Sequence, residues 1–182
     1  MKFTKSEIPD VVIVEPRLFN DDRGCFYESF SQEKFEKNVV KTSFIQDNES
    51  KSTYGVLRGL HYQLPPFSQA KLIRVLKGEI LDFAVDIRKG SPTFGKHIKV
   101  RLSSDNKKQL FIPRGFAHGF VVLSSSATLS YKVDAYYAAK HNEGIAYNDP
   151  DININWGFSE ADIILSEADK NYPTLANSDK LF

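Results

Sequence analysis

The chain has 182 residues, enough for one domain with a sizeable core, and its 41% hydrophobic and 26% charged residues are ordinary for a globular protein. A net charge of +1 excludes a broad field for nucleic acid or anionic lipid, so any anion must be met by a local cluster of Arg and Lys. Cys25 is the only cysteine, which excludes an intrachain disulfide and a thiolate-rich metal site; with no apolar leader in the first seven residues and no membrane-spanning run, a cytoplasmic location is expected.

Val11–Val14 is a short apolar run stopped by Glu15-Pro16 and predicts a first strand. Asn20-Asp21-Asp22-Arg23-Gly24 is a turn by composition, after which Cys25–Phe30 resumes extended structure. Ser31 caps a helix predicted over Gln32–Asn38, with Glu33 near the positive end of its dipole. Strands then follow closely: Phe44–Asn48, Val56–Tyr62, Lys71–Lys77, Glu79–Ile87, His97–Leu102, Gln109–Ile112, Ala117–Leu123 and Ala127–Asp134, broken by Gly, Ser, Asn, Asp and Pro. Beyond Tyr137 the pattern weakens to a turn at Asn148–Asp151 and a short helix starting near Ser166. Many short strands and a high aromatic content predict an all-β fold, a sandwich or barrel, with a few short helices.

Two stretches place histidines in strand-like runs: Arg58-Gly59-Leu60-His61-Tyr62-Gln63 and Pro113-Arg114-Gly115-Phe116-Ala117-His118-Gly119-Phe120. Imidazole exchanges protons near neutrality without much tuning, although a lone histidine on a strand is more often structural. Strand parity puts Lys71 with Ile73 and Val75, Tyr131 with Leu129 and Val133, and His118 with Phe120 and Val122. Polar groups on apolar faces need partners or a ligand. Arg58 and His61 are three apart, which an ideal strand aims at opposite faces; Gly59 between them is a candidate bulge that could re-aim one.

Pro113-x-Gly115-x-x-His118 resembles the second motif of the cupin superfamily, where it places a metal ligand. The matching His-x-His with a downstream Glu is absent, and one ligand position does not hold an ion, so no metal is expected. A closer resemblance runs along nearly the whole chain. Asp21-Asp22-Arg23-Gly24, Phe44-x-Gln46-Asp47-Asn48, Leu57–Gln63, Lys71-Leu72, Gly90–Gly95, Pro113–Phe120, Tyr131-Lys132 and Asn148-Asp149-Pro150, in this order, resemble the dTDP-4-dehydrorhamnose 3,5-epimerase family.

That resemblance implies a cupin-type antiparallel β-barrel, or jelly roll, over residues 1–182 as one domain. It implies a homodimer that exchanges N-terminal strands, no cofactor, and a dTDP-linked 4-keto-6-deoxy sugar as substrate. By motif position, His61 would be the base oriented by Asp169, and Tyr131 the acid on the other face of the sugar. Lys71 and His118 would sit beside the ketone, His118 backed by Asp82. Arg23 and Arg58 would meet the diphosphate. Phe19, Glu28, Gln46 and Asn48 would serve the nucleotide end, Glu143 would contact the substrate, and Phe26 would reach a partner's site. Ala168, Tyr147, Gly157 and Ala139 depart from the residues usual in the family, all in the C-terminal third.

The chemistry is consistent with these assignments. A 4-keto sugar has acidified C–H bonds at C3 and C5, and inversion needs a base and an acid on opposite faces plus stabilisation of the enolate. The ketone itself is the electron sink, and the planar fork of arginine suits a diphosphate. Taken singly, Arg23, Glu28, Tyr131 and Asp169 also have structural readings as a solvated charge, an edge carboxylate, a core anchor and a helix-start residue. An enzyme that inverts C3 alone, one acting on another nucleotide-linked 4-keto sugar, and a non-catalytic sugar-binding cupin stay open as alternatives.

Overall fold

The computed structural model describes residues 1–182. Its strands are β1 (Lys2–Lys5), β2 (Val12–Glu15), β3 (Phe19–Asp21), β4 (Gly24–Phe26), β5 (Gln46–Thr53), β6 (Leu57–Gln63), β7 (Lys71–Lys77), β8 (Glu79–Asp86), β9 (His97–Ser103), β10 (Gln109–Ile112), β11 (Phe116–Val122), β12 (Ser126–Val133) and β13 (Asn142–Gly144). Two short α-helices, α1 (Gln32–Asn38) and α2 (Glu167–Lys170), complete the regular structure with three 3-10 turns. The named strands pair antiparallel in two main sheets, of order β1-β2-β10-β7-β12-β5 and β13-β6-β11-β8-β9, while β3 and β4 form a hairpin of their own. The sheets face each other over the largest apolar cluster, in which Ile73, Val75, Leu110, Ile112 and Leu129 of one meet Ile80, Ala84, Val100, Phe116 and Phe120 of the other. This is the expected cupin-type, all-β architecture.

Each sheet is also covered from outside. On the six-stranded sheet, Phe35 of α1 lies within 5.2–5.9 Å of the rings of Phe30, Phe44 and Phe111, over Val12, Val14 and Leu72. The Ser31 hydroxyl accepts from the Lys34 amide and caps this helix as its sequence predicts. On the five-stranded sheet the C-terminal third packs down, with Trp156 4.5 Å from Phe83 and Leu175 and Ile152 beside it. Asp149 anchors that segment: its carboxylate accepts from the amides of Asp151, Ile152 and Leu175.

Several elements differ from those predicted, among them the three-residue strands β3 and β13, which the sequence reading does not contain. β1 was not expected, because Lys2-Phe3-Thr4-Lys5 has little apolar pattern; it forms by pairing with β2 at the sheet edge. Cys25–Phe30 stays extended only to Phe26, since the hairpin stands off both sheets and offers no further strand partner; Phe30 instead joins the cluster under α1. Phe44–Asn48 becomes Gln46–Thr53, paired along its length with β12. The strand is more polar than a half-buried strand usually is, and the reason lies in what it faces.

Candidate active site

Between the sheets the apolar filling gives way to polar side chains. From the five-stranded sheet come Arg58 and His61 on β6, Asp82 on β8 and His118 on β11, and from the six-stranded sheet Lys71 on β7, Tyr131 on β12 and Gln46, Asn48, Ser50 and Ser52 on β5. Each lies on the inward parity of its strand. Asp82 alternates with Ile80 and Ala84, Lys71 with Ile73, Tyr131 with Leu129, and the four β5 residues alternate with exposed neighbours.

The Arg58–His61 conflict resolves at Gly59. His61 pairs with His118 and Arg58 with Phe120, so three residue steps on β6 match two on β11 and one extra residue is bulged. Both side chains then face inward. Gly59 has φ +142, and a Cβ there would stand 2.4 Å from the Gly119 Cα, so only glycine fits.

Two histidine–carboxylate pairs organise the chemistry. Nε2 of His61 bonds Oδ1 of Asp169, a residue 108 positions away that α2 carries in beneath the strand. Ser166 caps that helix by accepting from the Asp169 amide, which sets the carboxylate's direction. Nε2 of His118 lies 2.5 Å from Oδ1 of Asp82, whose side chain is fully buried and whose Oδ2 has no partner. Because a carboxylate only accepts, Nε2 carries the hydrogen in each pair and Nδ1 keeps a lone pair. Burial pushes His118 below its ordinary value against the pull of Asp82, and Lys71 and His61 add to the fall. Burial likewise draws the Lys71 ammonium down to about 8, while the Asp82 carboxylate works to raise it. Lys71 Nζ also reaches the His61 carbonyl at 3.4 Å, tying the two sheets together. Burial raises the Tyr131 hydroxyl above its usual range, partly offset by the Arg58 guanidinium.

The remaining predicted residues divide. Gln46 and Asn48 lie inward and bond each other at 2.8 Å. Glu143 sits on β13 beside β6 and takes an ion pair from Lys180. Phe19, Arg23 and Phe26 are not brought to this cluster: they lie on the separate hairpin, exposed, with Arg23 paired to Asp21. Glu28 follows the hairpin and pairs with Lys34.

Sequence reasoning missed Ser52, whose hydroxyl accepts from Arg58 Nε at 3.1 Å, and Tyr172, whose ring stands 5.7 Å from that of His61. It also missed Gln63, whose amide holds the 67 and 136–138 loops together. A signal for Ser52 was its parity with Gln46 and Asn48; nothing local marked Tyr172. Two quoted motifs are structural. Ser91 and Thr93 of the Gly90–Gly95 stretch bond the buried Asp86, and Asn148-Asp149-Pro150 carries the Asp149 anchor. The cupin-like metal position does not fit an ion: His118 is committed to Asp82, and no group of three or more His, Cys, Asp or Glu is placed to hold one.

A family model described as dTDP-4-dehydrorhamnose 3,5-epimerase matches residues 5–177. A dTDP-4-dehydrorhamnose 3,5-epimerase of Shigella flexneri is 53% identical over 180 residues, covering 98% of each chain. The crystal structure of dTDP-4-dehydrorhamnose 3,5-epimerase from Elizabethkingia anophelis superposes with a TM-score of 0.94 at 48% identity, again over 98% of each chain. That of dTDP-6-deoxy-D-glucose-3,5-epimerase from Legionella pneumophila, in complex with dTDP-4-keto-L-rhamnose, gives 0.94 at 45% identity, over 98% of this chain and 94% of that one.

Proposed function

We propose a division of labour among these side chains from the premise that the chain belongs to the dTDP-4-dehydrorhamnose 3,5-epimerase family. It is an isomerase that takes dTDP-4-dehydro-6-deoxy-D-glucose to dTDP-4-dehydro-L-rhamnose by inverting C3 and C5, in the making of dTDP-rhamnose. One observation carries the assignment of roles: the histidine pair and the Lys71–Tyr131 pair stand on the inner faces of opposite sheets.

In this reading the sugar lies between the sheets. His61 removes the proton next to the C4 ketone through Nδ1, while Asp169 holds the ring and stabilises the imidazolium that forms. Charge develops on the C4 oxygen, where the Lys71 ammonium donates to it in a water-poor site. Asp82 keeps that ammonium charged, with His118 neutral beside it. Tyr131, held protonated by burial, returns a proton from the opposite face. Arg58, oriented by Ser52, meets the diphosphate, and Gln46, Asn48 and Glu143 line the approach. The ketone provides the electron sink, so this sequence of steps draws on no cofactor.

The chain is read as one cupin-like unit over residues 1–182 that works as a homodimer. Phe19, Arg23, Phe26 and Glu28 reach no site in their own chain, and Phe19 and Phe26 are 50% and 73% exposed. A partner subunit's cleft is the place where they would meet substrate. β1 pairs with β2 and β2 with β10 of their own chain, which leaves the β3–β4 hairpin as the element to exchange. A monomeric mass by light scattering with full activity would contradict this. No helix is long and apolar enough to cross a membrane, and a cytoplasmic location goes with the free, exposed Cys25 and a nucleotide-linked substrate.

The test of the reading is incubation with dTDP-4-keto-6-deoxyglucose in D2O. Deuterium at both C3 and C5 with inverted configuration is expected by NMR. Label at C3 alone would make this a C3 epimerase, and no label at all would remove the catalytic reading.

A further inference from the structure

His61 is held at one point only, its Nε2 bond to Asp169, and its side chain is 34% exposed. A ring pinned at one nitrogen can still swing about that bond. What stands in the path of the swing is Tyr172, whose ring meets that of His61 at 5.7 Å and an interplanar angle of 71°. The seat of Tyr172 is built for it. Gly144 is the β13 partner of His61, and a Cβ on Gly144 would lie 2.5 Å from two carbons of the Tyr172 ring. The backbone of Gly144 is not left-handed, so what demands glycine there is the space of the tyrosine ring.

The backbone just after Tyr172 is held at two points. The Pro173 carbonyl accepts from the Ala146 amide, and the Leu175 amide donates to Asp149. Tyr172 and His61 line the same cleft of about 330 Å³, with Arg58, Asn142 and Asp169. We propose that Tyr172 is a positioning residue for the base: seated on Gly144, it locks the His61 ring at the angle from which Nδ1 reaches the sugar. This rests on the reading of His61 as base. Tyr172 touches no reacting atom, and its planar ring, rather than its hydroxyl, does the positioning.

A reacting group misplaced by about 1 Å can lose on the order of 10²-fold in rate, and a ring freed on one side only should lose less. Tyr172→Ala is therefore expected to lower kcat about 10-fold with KM within twofold, and Tyr172→Phe to recover most of that loss. Gly144→Ala, which pushes the ring from its seat, is expected to lower kcat comparably. In the Tyr172→Ala background the seat is empty, so the same Gly144→Ala change should then cost less than twofold, a non-additivity that a general loss of stability would not give. Should Tyr172→Ala fold poorly, Tyr172→Leu still fills the seat without a planar ring and should lower kcat about threefold. Additive effects of Gly144→Ala and Tyr172→Ala, a rise in KM matching the fall in kcat, or a Tyr172→Phe variant as slow as Tyr172→Ala would each overturn the proposal. A wild-type chain that incorporates no deuterium would remove the epimerase reading itself, whereas wild-type turnover with Tyr172→Ala within twofold of it would remove this inference alone.

Discussion

The two histidine–carboxylate pairs are chemically alike and built differently. Asp82 and His118 come from neighbouring strands of one sheet, with side chains 0% and 11% exposed. Asp169 reaches His61 from a four-residue helix in the C-terminal segment, and the His61 side chain is three times as open. A base that must pass its proton to solvent between turnovers needs access to water. A pair whose work is to hold charge beside a buried ammonium needs water kept out. The same two residue types thus take different roles through burial alone.

The largest effect should come from breaking the open pair at its base. His61→Ala is expected to abolish deuterium exchange at both carbons and to lower kcat by about 10²–10⁴-fold. His118→Ala removes no base, so measurable exchange should persist. Equal loss of exchange in the two variants would erase the distinction between the pairs.

Next is the charge on each carboxylate. Asp82→Asn strips the counter-charge from Lys71, but the ammonium can escape by losing its proton, since it already sits at about 8. The expected loss is about 2 kcal/mol of stability, below the penalty of a stranded buried ion. Asp169→Asn should cost less than half of that, because its partner His61 is partly solvated. Urea unfolding of both variants checks the order.

A smaller effect appears as pH dependence. The folded value of Lys71, about 8, lies below its ordinary 10.5. Between these values the unfolded chain binds more protons, so this group makes stability rise with pH from about 8 to 10.5; below 8 both states are charged and the penalty is fully present. Lys71→Met should therefore be the more stable protein at pH 7, with the difference shrinking toward pH 10.5. A difference that does not change across that window would show Lys71 is not buried as a cation.

The smallest expected change is at Ser52. Ser52→Ala frees the Arg58 guanidinium and should raise KM about threefold while leaving kcat within twofold, measured by steady-state kinetics; a hydrogen bond to a charged group is worth roughly 1.5–3 kcal/mol at most, and Arg58 is exposed enough for water to replace it.

Much of this was legible in the sequence because it is local. Parity alone aligned Lys71 with Ile73 and Tyr131 with Leu129, and a glycine between Arg58 and His61 announced the bulge that turns both inward. The strands from β8 to β12 came through because Gly, Asn and Ser mark their turns, whereas β13 carries no such signal. The rest depends on contacts that no window contains. β1 exists because β2 offers an edge, and the polarity of β5 makes sense only once its inward face is seen to line a cleft. Asp169 and Tyr172 meet His61 across more than a hundred residues, through a segment held by Asp149. Resemblance could name Asp169 by its motif position, but it had no means of finding Tyr172.

The central claim is that the base and the acid act from opposite sheets on opposite faces of the sugar. Tyr131→Phe tests it most directly, since it removes a single hydroxyl and keeps the ring packed beside Leu129. With the acid gone, His61 still draws off the proton to form the enolate, trades it with solvent through its 34% exposed side chain, and returns a solvent-derived one to the same face. In D2O the account predicts deuterium at C3 and C5 with configuration retained, and inversion slowed by about 10²–10⁴-fold. Inversion at the wild-type rate in this variant would contradict it.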